Sequence, residues 1–190
     1  MDRRQFVSTG LMSGLMATGL FTSAQAATQA TRPGFEPVEV PTRPDVAPNE
    51  IHVLPDAFML YWTKPGGRAI RYMVGIGLPG LYESGEFFVG AKKEWPSWTP
   101  TQSMIERNPE YAEWADGMPG GPENPLGARA LYLFEPGRGD TFLRIHGTNA
   151  PRTIGTAVSN GCARLVNDQA IDLYNRVPLR SRVVLHPQTA

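Results

Sequence analysis

Hydrophobic and polar positions change rhythm several times along this 190-residue chain. Residues 27–50 (ATQATRPGFEPVEVPTRPDVAPNE) show no period and are rich in Pro, Thr and Glu, which predicts an extended arm. From Ile51 the runs "IHVLPDAFMLYWT" and "AIRYMVGIG" are β-branched and aromatic on either side of "KPGG", and they predict a hairpin about that turn signal. "EFFVGAKKEW", "ARALYLF", "TFLRIHG" and "SRVVLH" predict further strands, with "EPGRGD" turning the second into the third. "PSWTPTQSMIERNPEYAEWADG" predicts short helical turns, one of them starting after Thr101, and "MPGGPENPLG" predicts a loop. "NDQAIDLYNRV" carries helical spacing through Ala170, Ile171, Tyr174 and Val177, with Asn167 as its cap and Pro178 as its stop. A mainly β chain with many loops and one good helix predicts a β-sandwich or rolled sheet with a short helix after Cys162.

Composition narrows the function. The 18 basic and 18 acidic residues balance, so neither a nucleic-acid partner nor a polybasic membrane patch is expected. The first 26 residues read as a targeting segment: Arg3-Arg4 and Phe6 precede a weakly apolar, glycine-dotted run, and Ala24-Gln25-Ala26 offers a signal-peptidase site. "DRRQF" resembles the twin-arginine export motif, with Asp2 where Ser or Thr is commoner. The expected organisation is therefore an export signal over 1–26, the arm over 27–50 and one folded domain over 51–190, in the periplasm. Without two Arg and one Asp of the signal, 16 basic and 17 acidic residues remain.

Export changes how Cys162 reads, because it is the only cysteine and structural cysteines in oxidising compartments come in pairs. A lone one can be a small buried hydrophobe, half of an intermolecular disulfide, or a reactive thiol. Its surroundings favour the last. His146 ends a predicted strand; Ser159-Asn160-Gly161-Cys162 reads as a tight turn; Arg164 stands two residues on; and the predicted helix begins near Asn167. A nearby imidazole, a cation, backbone N–H groups and a helix N-terminus all raise the thiolate fraction. The N–H groups of Gly161 and Cys162 could face a developing oxyanion. One Cys and three scattered His lack the spacing of a metal centre, so no metal is expected.

"IHGTNAPRTIGTAVSNGCARLVNDQAIDLY" resembles the active-site signature of the L,D-transpeptidase (YkuD) family, and "KKEWPSWTPTQSMIERNPEY" and "GGPENPLGARALYLF" resemble segments of its periplasmic members. The resemblance spans about residues 50–187. It implies that Cys162 is the acylated nucleophile and His146 its base, with the Gly147 carbonyl orienting the imidazole. It further implies an oxyanion hole at Gly161 and Cys162, carboxylate recognition by Arg164, and loop support from Ser159 and Asn167. Trp95, Trp98 and Tyr111 are candidates to line the substrate cleft, with Arg164, Asn167 and Trp98 as substrate-binding residues. Asn160 stands where the family commonly has a second histidine; it can position a group but cannot move a proton near neutral pH. The implied reaction opens a peptidoglycan tetrapeptide stem at its third residue, releases D-Ala and passes the thioester to an amine of a second stem, a protein or a free D-amino acid. Water as acceptor would make the protein an L,D-carboxypeptidase, and loss of turnover would leave a wall-binding module. No cofactor is implied, and a carbapenem is an implied covalent inhibitor.

Overall fold

The computed structural model describes residues 36–189. The predicted export signal and the first part of the arm lie outside them. Eleven strands are present among the described residues: β1 (Val38–Pro41), β2 (Glu50–Leu54), β3 (Met59–Lys64), β4 (Arg68–Met73), β5 (Ile76–Gly77), β6 (Gly85–Glu94), β7 (Arg129–Glu135), β8 (Gly139–His146), β9 (Ala157–Ser159), β10 (Ala163–Arg164) and β11 (Arg182–Leu185). Two α-helices accompany them, α1 (Gln102–Arg107) and α2 (Asn167–Arg176).

The mainly β architecture is as the sequence predicts, but two boundaries differ. The run from Ile51 to Thr63 is two strands, not one: Pro55 begins a 3-10 turn, Phe58 takes a left-handed φ of 53°, and β2 folds back antiparallel on β3. Part of the predicted arm is an edge strand, with β1 pairing antiparallel with β4 from Val38↔Arg71 to Pro41↔Arg68. A proline is tolerated there because an edge strand needs its N–H groups on one side only.

Nine strands form one sheet in the order β1-β4-β3-β2-β11-β6-β7-β8-β10. Its pairs are antiparallel except β11 with β2 and β10 with β8. The sheet is rolled so that the segment following β4, next to the β1 edge, meets β10 at the other edge. Gly75, just past β4, exchanges both backbone hydrogen bonds with Arg164 of β10, at 2.9 and 2.8 Å. Beside this seam β5 pairs parallel with β9. The roll encloses a core that includes Ile51, Leu60, Tyr72, Val89, Leu131 and Ile145. Helix α2 buries Ala170 and Leu173 against it. Lys92 of β6 caps the end of α2 by donating to the carbonyls of Tyr174 (2.5 Å) and Val177 (2.7 Å), where a cation also meets the negative end of the helix dipole. The Tyr72 hydroxyl donates to Asp172 at 2.6 Å on the same helix. Among the described residues no helix is long and apolar enough to cross a membrane.

Candidate active site

Cys162 sits in the turn between β9 and β10, at the seam where the sheet closes. The parallel pairing of β10 with β8 puts Arg164 level with His146. Thr141, Leu143 and Ile145 of β8 are buried in the core. The alternation of a strand therefore turns Phe142, Arg144 and His146 to the other face, where the cleft lies.

The turn is built by Ser159. Its Oγ donates to the Cys162 carbonyl at 2.7 Å and accepts the Gly161 N–H at 3.3 Å. Gly161 has φ +120°, and a Cβ there would stand 2.8 Å from the Leu81 carbonyl oxygen, so only glycine fits. Gly161→Ala is expected to cost about 1–3 kcal/mol of stability, read by urea unfolding, together with a fall in Cys162 reactivity. The Gly161 N–H thus faces the Ser159 Oγ in the resting protein.

Two clefts meet at Cys162. The first is lined by His146, Arg164, Ser159, Asn160 and Tyr111, among others. The second runs past Arg144, Phe142, Tyr132 and Thr101. Trp98, Met104, Leu126 and Cys162 belong to both. Trp98 is fixed by a two-way backbone bridge to Met118 and by an edge-on contact with Tyr111, ring centres 5.1 Å apart. The predicted loop 118–127 contributes Leu126 to both clefts and Pro125 to the first. Trp95, by contrast, lines neither; it is exposed, with φ +42°. Asn167 lines neither of these two clefts. Nor does its side chain cap α2, whose cap position is Val166. The Asn167 Oδ1 is instead taken by backbone N–H groups of Ala128 and Thr148.

The electrostatics also depart from the sequence expectation. His146 is 4 % exposed, and burial pushes its pKa down to about 4, with Arg164 and Arg144 adding to the depression. Its Nδ1 lies 2.6 Å from the Gly147 carbonyl oxygen. A carbonyl only accepts, so this contact calls for the proton on Nδ1, and the Leu126 backbone is a second acceptor beside the ring. Burial likewise pushes the Cys162 thiol up, against the Arg144 backbone N–H and the charges of Arg144 and Arg164. The half-buried sulfur lies 4.0 Å from the Phe142 carbonyl oxygen. Burial thus favours the neutral form of both the thiol and the imidazole.

Arg164 is the charge out of balance. Its Nε and Nη2 are buried with no hydrogen-bond partner, and burial pulls its pKa below the ordinary value. Gly75 makes room for it, since a Cβ at Gly75 would stand 3.2 Å from Nη2. Two unpartnered buried nitrogens on a guanidinium that lines a cleft suit an anion, and the fork has the geometry to match a carboxylate. Arg144 is already matched, through Nη1 and Nη2, to Asp140 at 2.6 and 2.8 Å, and it lies over the Tyr132 ring.

The sequence model of the L,D-transpeptidase catalytic domain, YkuD, matches residues 48–185. The chain belongs to this family. A Fuscovulum blasticum protein that carries the name L,D-transpeptidase is 31% identical over 185 residues, 88% of this chain and 93% of its own length. ErfK/SrfK of Escherichia coli K12, also named as an L,D-transpeptidase, is 36% identical over 76% of this chain, which spans less than half of it (46%). Among solved structures, a Brucella melitensis protein described as a carnitine operon oxidoreductase has a TM-score of 0.56 and 42% identity, over 84% of this chain and 94% of its own. L,D-transpeptidase 3 of Mycobacterium tuberculosis, solved with a faropenem-derived adduct, has a TM-score of 0.53 at 17% identity, over 72% of this chain and 59% of its own, and shares the fold.

Several residues at this YkuD site were not singled out from sequence: Arg107, Arg144, Phe142, Met104 and Leu126. The signal that could have found Phe142 and Arg144 is strand alternation, since they stand four and two positions before His146. Phe142 is 70% exposed and has φ +62°, a left-handed conformation that is rare for a bulky side chain and concentrates at functional sites. Arg107 of α1 donates to the Asn160 Oδ1 at 3.0 Å. It thereby ties the helix beside the cleft to the residue that replaces the family's common second histidine. No pattern local to either residue could reveal that contact.

Proposed function

We propose that this protein is a periplasmic peptidoglycan L,D-transpeptidase that uses Cys162 as its nucleophile. The two buried, unpartnered guanidinium nitrogens of Arg164, in one cleft with Cys162 and His146, carry the reading. The donor tetrapeptide stem lies in the cleft of His146 and Arg164, with its free carboxylate in the arginine fork. As Sγ attacks the carbonyl of the third residue, the thiol proton passes to His146 Nε2. A tetrahedral oxyanion forms beside the Cys162 N–H. The imidazolium then gives that proton to the departing amine, D-Ala leaves, and a thioester remains.

The acceptor amine enters from the second cleft, whose aromatic walls at Trp98, Tyr132 and Phe142 suit an ammonium before it loses its proton. That amine belongs to another stem, a protein or a D-amino acid, and it attacks the thioester to restore the thiol. Asn160 supports the reaction by position, since its amide oxygen is held by Arg107. Carbapenems trap the same sulfur. Thiol–disulfide chemistry within the chain, as an oxidoreductase reading would invite, needs a second cysteine, and the sequence has one.

Intact mass after incubation with imipenem is expected to show one covalent adduct, and Cys162→Ala to show none. Purified disaccharide-tetrapeptide is expected to yield crosslinked dimers in addition to free D-Ala. Tripeptide alone would make the protein a carboxypeptidase, and an unreacted, well-folded protein would make it a binding module.

A further inference from the structure

Asn167 turns its side chain away from the helix it begins. Its Oδ1 accepts two backbone N–H bonds, from Ala128 at 3.0 Å and from Thr148 at 3.1 Å. A Cβ on Gly127 or on Gly147 would overlap that oxygen, so two glycines leave it its place. The Thr148 N–H belongs to the same peptide group as the Gly147 carbonyl. That group is planar and trans, so its N–H and C=O point in opposite directions. Holding the N–H therefore aims the carbonyl, and the carbonyl so aimed is the one 2.6 Å from His146 Nδ1. The neighbouring bonds, Gly147 N–H to the Arg129 carbonyl (2.9 Å) and Leu165 N–H to the His146 carbonyl (2.8 Å), both belong to the preceding His146–Gly147 peptide and do not act on this one.

We propose that Asn167 is a positioning residue that sets the tautomer of His146 through the Gly147–Thr148 peptide. In sequence, Asn167 Oδ1 accepts from Thr148 N–H, and the Gly147 carbonyl of that peptide accepts from His146 Nδ1–H. Bonds in series through a peptide group polarise one another, so the first strengthens the second. Removing the Oδ1 acceptor frees the peptide plane to rotate. The imidazole is then free to place its proton on Nε2, where it cannot take up a proton from the thiol. The kinetic consequence rests on the Cys162–His146 chemistry proposed above, whereas the tautomer does not depend on it.

The test is nitrogen-15 NMR of the His146 ring in the full-length protein, with imipenem acylation rates as a second readout. Wild type is expected to show one Nδ1–H tautomer with a low-field ring proton protected from exchange. Folded Asn167→Ala is expected to lose that proton signal and to acylate on the order of 10- to 100-fold more slowly at pH 7. Asn167→Asp keeps the acceptor and adds charge, so it should keep the protected proton, move it to lower field and restore acylation to within a few-fold of wild type. Retention of the wild-type ring signal in folded Asn167→Ala overturns the proposal. So does an unmoved or lost ring signal in Asn167→Asp, which decides the matter if the alanine variant does not fold. An altered tautomer without any imipenem adduct in wild type would uphold the positioning role and sink the transpeptidase reading instead.

Discussion

His146→Ala is expected to slow imipenem acylation of Cys162 by about 100- to 10,000-fold at pH 7, the usual range for a positioned general base. The size follows from the neutral resting pair. With the imidazole pKa near 4 and the thiol held above its ordinary value by burial, the thiolate is disfavoured in the resting protein. The proton must leave the sulfur as the sulfur attacks. The wild-type rate should track the neutral imidazole: half lost near pH 4, rising through pH 5, then flat until the thiol itself begins to ionise. In His146→Ala only pre-formed thiolate reacts, so the rate should climb about tenfold per pH unit. The deficit is widest near neutrality and narrows in alkali. A resting thiolate–imidazolium pair predicts the reverse order of events, with an acid limb set by a lowered thiol pKa. Stopped-flow acylation from pH 4 to 10 separates the two, and a variant rate within threefold of wild type at pH 7 would remove His146 from the reaction. The same burial has a stability consequence of definite sign. The native imidazole ionises near 4 and the unfolded one near 6.5. Between those values the unfolded chain binds the extra proton, so stability falls as pH drops through that window. The variant should lose that share of acid sensitivity.

That neutral pair marks the boundary of what was legible in the sequence. The residue types, and their place between a strand end and a helix start, were readable because nucleophile, base and cation fall within a short segment. Their protonation was not, because it comes from burial, and the burial is made at a seam. Gly75 and Arg164 lie 89 positions apart in the chain, and no local period announces that one end of a rolled sheet will hydrogen-bond to the other. The hairpin at "KPGG" was readable from its turn residues. The break at Pro55 was not, because the apolar run continues across it and a lone proline fits a strand end as well as a corner. Asn167 shows the same limit at one residue. Its type and position fit a helix cap, and local propensity alone gives that answer. A loop from 127 to 128 and another from 147 to 148 compete for its oxygen and win, through contacts that form only in the folded chain. Asn160 was visible as a departure from the family pattern, but the partner that holds it, Arg107, lies 53 positions away.

Arg164→Met should make the protein more stable and less active at once. Two buried nitrogens of this side chain have no partner in the resting state. Each such group costs about 1–3 kcal/mol relative to a satisfied one, and replacing buried ions by apolar side chains of similar length is often stabilising by about 1–4 kcal/mol. A gain of about 2 kcal/mol would raise Tm by roughly 4–8 °C for a chain of this size. Activity moves the other way under the proposed function, in which a substrate carboxylate completes the guanidinium. Loss of a charge-assisted fork worth about 3 kcal/mol lowers kcat/KM for the tetrapeptide donor on the order of 100-fold. Arg164→Lys should recover little of it, since an ammonium offers one point charge where the fork offers two parallel bonds. Alkylation of Cys162 by iodoacetamide, a small neutral reagent without a carboxylate, is the control. It should change by no more than a few-fold, in the direction of slower reaction as a nearby cation is removed from the thiolate. A lower Tm together with equal losses toward donor and iodoacetamide would mean that Arg164 holds the turn in shape and does not read the substrate. The expected divergence, more stable toward heat yet selectively blind to a carboxylate, is the signature of a charge kept buried and unsatisfied for the ligand that arrives.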